Sequence, residues 1–308
     1  MTGGGAASLA FGKEQSFKGS LVDSDSDGTP EYWAFGRNPT VTELDLDRAL
    51  ERLTEGDQAE SVESLATNLE GAFAVETVIS SDVHGDVEDI VFNDAGTGFK
   101  AGRAVSSRVF AGIDYLDGTC ERELIGCIPL EYSISYTQDG TLTYSLSMGY
   151  ADEKTATSLT PSSVNQVSDG TSAAAHSFQL DVDGTTVTKL QEAELSITNI
   201  SRFQRGPSPI AVDAVLARPE TELTADAIFS GPSRLELAYG SSGSTSTQDR
   251  MSSVAGTITI TIDGTALSTY NLAKLKPDTY SWNDLISDGD TDMTDSTTFN
   301  VDGGVTIS

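Results

Sequence analysis

Hydrophobic and polar positions alternate over most of the chain. In 255–270, Ile258, Ile260 and Ile262 fall on one side and threonines on the other. In 65–80, Leu65, Leu69, Phe73, Val75 and Ile79 share a face opposite Asn68, Glu70 and Glu76. A period of two means strands buried on one face only, as in antiparallel sheet. The stretch 130–148 holds two such runs around Asp139-Gly140 and predicts a hairpin. One short helix is predicted over 86–92, with Asp86 as N-cap and Val87, Ile90 and Val91 on one face. Residues 43–53 have helix propensity, but Leu44, Leu46 and Leu50 share parity, so a strand is predicted there.

Asp-Gly-Thr recurs six times, at 27–29, 117–119, 139–141, 169–171, 183–185 and 263–265. Asp-Gly supplies the positive φ of a tight hairpin turn, and the β-branched Thr restarts the strand. The chain also repeats itself. TVTEL at 40–44 matches TVTKL at 186–190, 146 positions on; AFAVETVIS at 72–80 matches ELTADAIFS at 222–230, 150 positions on. Each match is weak, but they run in the same order, which predicts a duplicated unit. The division is an N-terminal arm and acidic loop (1–29), a first copy (30–151), a linker rich in Ser, Thr and Ala (152–177) and a second copy (178–308). The expected fold is all-β with a few short helices: two β-sandwiches or open barrels, each with one long hairpin. The first hairpin runs through 43–53 and returns through 62–75; the second uses 190–203 and 211–229.

Charge narrows the setting. Asp and Glu number 47 against 18 Lys and Arg, a formal net charge of −29, spread along the chain. Such self-repulsion is tolerable where salt shortens the Debye length to about 3 Å. A halophilic host is the economical reading, and a calcium-rich extracellular adhesin is the alternative. No basic stripe points to nucleic-acid binding. The first fifteen residues do not read as a secretory signal, and no run of about 18 apolar residues reads as a membrane span. Cys120 and Cys127 are no disulfide framework and read as small buried hydrophobes.

No nucleophile elbow, zinc motif or phosphate loop occurs, and an enzyme is disfavoured. Two acidic clusters are candidate cation loops. Asp23, Asp25, Asp27 and Glu31 follow D-x-D-x-D-G, but Ala34 stands at the twelfth position, where a bidentate acid is usual. Asp288, Asp290, Asp292 and Asp295 form the second, with Met293 where Gly is wanted. Acid-rich turns are the alternative for both, so no cofactor is required and Ca2+ is the structural cation to test. At the hairpin tips, Glu55, Asp57 and Glu60 in one copy face Arg202 and Arg205 in the other as candidate inter-subunit contacts. Alternatively, the arginines neutralise acids of their own subunit.

The order GGGAASLAFGKE, AFGRNPTV, SVESLATNLEG, DYLDGTCERELIGCIPLEYSISY, RFQRG and RLELAYG resembles tail tube proteins of tailed viruses of haloarchaea, over nearly the whole chain. The resemblance implies β-sandwiches whose inner sheets join into a ring-shaped continuous β-barrel around a channel, with arms, here 54–61 and 204–210, that meet the neighbouring ring. It implies no catalytic residues. Its implied partners are copies of the chain itself, other tail proteins at the tube ends, and viral DNA in transit during ejection, with no membrane. It places the protein in a virion assembled in the cytoplasm of a halophilic archaeon. Two copies per chain would make a ring of three chains instead of six. A secreted haloarchaeal β-sandwich module that binds calcium or glycan at the cell surface is the competing expectation.

Overall fold

The computed structural model describes residues 7–23, 26–57, 60–93, 98–156, 164–167, 171–286 and 292–308. It is mostly β, with two short helices among the described residues. The first half holds β1 (Ala7–Lys13), β2 (Arg37–Asp47), β3 (Leu50–Leu53), β4 (Glu63–Ala66), β5 (Glu70–Val78), α1 (His84–Val91), β6 (Ser107–Tyr115), β7 (Gly118–Thr137), β8 (Thr143–Tyr150) and β9 (Asp152–Ala156). The second holds β10 (Phe178–Val182), β11 (Thr185–Thr186), β12 (Leu190–Thr198), β13 (Ser201–Gln204), β14 (Asp213–Leu216), β15 (Glu220–Ile228), α2 (Ser233–Tyr239), β16 (Val254–Ile262), β17 (Thr265–Asn283) and β18 (Thr294–Ile307). No helix among the described residues is long and apolar enough to cross a membrane.

One curled antiparallel sheet runs β11-β10-β16-β17-β18-β15-β12-β7-β8-β5-β2, with β1, β6 and β9 joined to it through β7. β7 serves two layers because it is long and changes neighbours along its length. Its first half pairs with β6 and β9, its second with β8 and β12. The alternating apolar residues fill one continuous core, with Phe73, Val75, Tyr132, Ile134 and Leu146 beside Leu195, Ile197, Leu223 and Phe299. Val87, Ile90 and Val91 of α1 close it from below.

The long hairpins form as the parity predicts, and 43–53 lies in β2 and β3 with a break between them where Ala49 takes a positive φ. Asp183-Gly184 and Asp263-Gly264 both take positive φ, the turn that follows strand twist. Asp169-Gly170 lies outside the described residues. Three expectations are corrected. The segment 152–156, read as linker, is strand β9, held by backbone pairing to β7 despite its weak alternation. Cys127 is buried, which pushes its thiol up, but Cys120 is exposed because it lies next to the hairpin end of β7, beyond the reach of the core that covers Leu124 on the same side. Helix α1 begins at His84, so Asp86 lies inside its first turn and the N-cap is Val83, with no side-chain cap bond.

Asp86 has a pH consequence. Desolvation first, and then the charge of Asp89, raise its carboxyl from 3.8 to about 6. Between about 4 and 6 the folded chain therefore holds a proton that the unfolded chain has released, so this group's contribution to stability rises as pH falls through that window. Asp86→Asn is expected to melt higher than the parent at pH 7.5 and to lose that advantage near pH 4. Parallel thermal scans check it, and an equal gap at both pH values would refute it.

Candidate strand-pairing interface

The strand order repeats. The path β1-β6-β7-β8-β5-β2 in the first half has the same order and antiparallel sense as β10-β16-β17-β18-β15-β12 in the second. The ribbons β3–β4 and β13–β14 extend equivalent hairpins, and α1 and α2 follow β5 and β15. The registers match residue by residue. Phe73 pairs with Met148 as Leu223 pairs with Phe299, and Met148 pairs with Pro129 as Phe299 pairs with Pro277. A register shift follows each proline, after which Ser133 pairs with Ser145 and Ser281 with Ser296. The shared Pro-x-x-Tyr-Ser of 129–133 and 277–281 is a sequence signal for this match, 148 positions apart, that the shorter repeats did not include.

The halves are joined edge to edge. β12 pairs with the second half of β7: Ile197 faces Tyr132, Leu195 faces Ile134, Ser196 faces Ser133 and Glu194 faces Ser135. Leu195, Ile197, Tyr132 and Ile134 are all essentially buried there. Beneath this junction, the second half closes over α1. Tyr270 of β17 meets Glu88 and, at 3.2 Å, the His84 ring, and Tyr136 of β7 stacks on Phe178 of β10.

The two strands in the corresponding positions have no such cover. Among the described residues β2, the counterpart of β12, pairs only with β5. Among the same residues the last part of β17, the counterpart of the β7 segment, pairs only with β18. Val41 and Leu46 are 41% and 48% exposed, whereas Ile197, which matches Leu46, is 0% exposed. On the other edge Trp282 is 44% exposed where Ile134 is 1%. Below β2 opens an apolar groove of about 650 Å³ lined by Val41, Leu44, Leu9, Ile113 and Cys120.

Between those edges, β17-β18-β15-β12-β7-β8-β5-β2 presents one wet face. A row of paired residues crosses six of its strands: Glu76, Ser145, Ser133, Ser196, Glu222 and Asn300. Glu43, Asp45, Glu194 and Asp226 lie on the same face, and segments 38–47, 70–78, 128–137, 143–150, 190–198, 220–228, 277–283 and 294–301 contain no Lys or Arg. On β17 the row ends at Lys276, which pairs with Asn300 and stands 2.9 Å from Asp302.

The other predicted site residues fall elsewhere. In the opening loop, Asp23 accepts the Gly28 N–H at 3.1 Å and Asp27 accepts the Thr29 N–H at 2.7 Å, as turn carboxylates do. Glu31 is half-buried, and Asp25 lies outside the described residues. In the second cluster Asp288 and Asp290 also lie outside them, Asp292 is exposed, and Asp295 is buried against Arg234 with the Tyr280 hydroxyl at 3.1 Å. Among the described residues no three potential metal ligands converge. Arg205 is engaged within its own chain. It donates to the Leu69 carbonyl at 3.2 Å and the Pro209 carbonyl at 3.3 Å, and stands 3.7 Å from Glu70. Arg202 is exposed, as are Glu55, Asp57 and Glu60 at the tip of the first hairpin.

No protein-family profile matches the sequence, and no curated protein does. Among solved structures, 49% of this chain is similar to 93% of a chain in the cryo-EM structure of the anti-feeding prophage baseplate, 6-fold symmetrised, at 14% identity and a TM-score of 0.34.

Proposed function

We propose that this chain is the ring-forming subunit of a viral tail tube, with the two halves acting as repeated modules and three chains making a ring of six modules. The observation that carries the reading is the acidic face of eight strands, whose inner strands carry no Lys or Arg on it and whose row ends at Lys276, bounded at both ends by an edge with no strand partner among the described residues. An open sheet edge invites another strand, and a head-to-tail contact between like subunits closes into a ring when its rotation allows. Facing inward, the acidic and hydroxyl side chains would line the channel. Duplex DNA carries one negative charge per ~1.7 Å of axis, so such a wall offers it no counter-charge and lets it slide. The role is mechanical, and no catalytic residue, cofactor or membrane contact is assigned.

Electron microscopy of the purified protein in molar salt tests this. Rings or hollow stacked tubes with three chains per ring are the expected result. Six chains per ring would overturn the two-module reading. Persistent monomers with calcium-dependent melting would favour the secreted calcium- or glycan-binding module instead.

A further inference from the structure

We infer that β2 of one chain pairs antiparallel with residues 280–283 of β17 in a second copy, in the register of the internal β12–β7 junction. This rests on reading the halves as repeated modules. The relation is set by pairings already described. Leu44 corresponds to Leu195 and Leu46 to Ile197 through their β5 and β15 partners. Tyr280, Ser281, Trp282 and Asn283 correspond to Tyr132, Ser133, Ile134 and Ser135 through β18 and β8. Carrying the junction across puts Leu46 opposite Tyr280, Asp45 opposite Ser281, Leu44 opposite Trp282 and Glu43 opposite Asn283.

The chemistry of that register is self-consistent. Leu44 and Leu46 lie on the core side of β2, opposite Phe73 and Gly71. Trp282 and Tyr280 lie on the core side of β17, opposite buried Asp295 and Thr297. The pairing therefore covers Leu44 and Leu46 of one edge and Tyr280 and Trp282 of the other at once. Its wet side sets two carboxylates against a hydroxyl and an amide, with no like charges opposed, and repeats the Glu194–Ser135 and Ser196–Ser133 pairs of the junction. A slip by one residue would turn Trp282 toward the wet face, which fixes the register.

Two further surfaces agree. At the internal junction, Tyr270 in the first half of β17 lies against α1, and Phe178 of β10 lies against Tyr136 of β7. β1, β6 and the first half of β7, the counterparts of β10, β16 and the first half of β17, line the open groove. The groove is thus positioned for α2 of the neighbouring chain, the counterpart of α1. The ribbon β13–β14 folds back over the first half: Ile200 donates its N–H to the Leu130 carbonyl at 3.1 Å, and Phe203 packs near Gly149 and Phe17. The equivalent ribbon β3–β4 leaves Leu50, Leu53, Val62 and Leu65 between 39% and 61% exposed. Carried across, it lies over the second half of the neighbour and brings its acidic tip to exposed Arg218.

Cysteine pairing tests the register in the full chain, in a Cys120→Ser background and molar salt. Mixing Asp45→Cys chains with Ser281→Cys chains, and Glu43→Cys with Asn283→Cys, should give oxidised dimers that contain one chain of each kind. Asp45→Cys mixed with Trp282→Cys, one residue out of register, should give none. Trp282→Asp should weaken self-association by about 30-fold or more, as losing a central aromatic anchor does, while the far-ultraviolet spectrum stays that of the parent. In the parent protein, Cys120 should lose reactivity toward a thiol reagent on assembly. Rings or tubes without either in-register crosslink would overturn this pairing and leave the tube reading standing. In-register crosslinks in open ladders, without rings, would uphold the pairing and overturn the tube. Absence of both crosslinks and self-association would overturn both.

Discussion

Replacing Arg108 by alanine is expected to destabilise the chain by about 3–5 kcal/mol, the cost of leaving buried charge unpaired. The guanidinium stands 3.2 Å from Glu14 and 2.6 Å from Glu123, and donates to the Gly19 carbonyl at 2.8 Å. The Glu14 side chain is wholly buried and also accepts from Ser106 at 2.7 Å, the Lys18 N–H at 2.8 Å and the Gly126 N–H at 3.2 Å. Burial raises the Glu14 carboxyl in spite of these donors, so even with the arginine present its ionised form is held at a cost. Without Arg108, two carboxylates share the site with no cation. Because the folded Glu14 value stands above the unfolded one, acidification from neutral pH should restore part of the loss. Glu123→Gln added to Arg108→Ala should restore part of it at neutral pH. Denaturant unfolding of the three chains checks this, and a loss under about 1 kcal/mol for Arg108→Ala would contradict the argument.

Withdrawing salt is expected to lower the thermal midpoint by on the order of 10 °C, a few kcal/mol for a chain of this size. The cause is the net charge of −29 and above all its placement, since the inner strands of the wet sheet face carry acids without Lys or Arg and Lys276 enters the row at one end. Their repulsion reaches about 3 Å in 1 M salt and about 10 Å in 0.1 M, which spans neighbouring strands. Assembly should fail before folding does, because edge pairing brings a further acidic face alongside. Midpoints and sedimentation measured from 2 M to 0.1 M salt read the two effects separately. Equal midpoints at both ends would contradict the charge argument.

How much of this was legible depends on range along the chain. Ile258, Ile260 and Ile262 had to share a buried face because side chains alternate in any strand, whatever it pairs with. The Asp-Gly turns were legible because a positive φ is a local demand that few residues meet cheaply. Helix α1 was found two residues late, since its start at His84 uses no side-chain cap that a sequence could display. The repeat was visible in 72–80 and 222–230, but the match of 40–44 with 186–190 is five positions out of register, since Leu44 corresponds to Leu195; the Pro-x-x-Tyr-Ser pair would have tied the halves correctly.

Partner choice was not legible. Backbone ladders are chemically alike, so nothing in 190–198 says that it pairs with 132–137. That follows only when Leu195 and Ile197 must be buried with Ile134 and Tyr132 in a shared core. For the same reason Arg205 could be read as a free contact residue, although the folded hairpin carries it to Leu69, 136 positions away. The Glu14–Arg108–Glu123 cluster is equally silent in sequence, since acids are everywhere and only burial makes these two matter. Strand, turn and charge are properties of short segments and are written there. Which edges are paired and which are left open belongs to the closed core, because burial is shared among residues far apart in the chain.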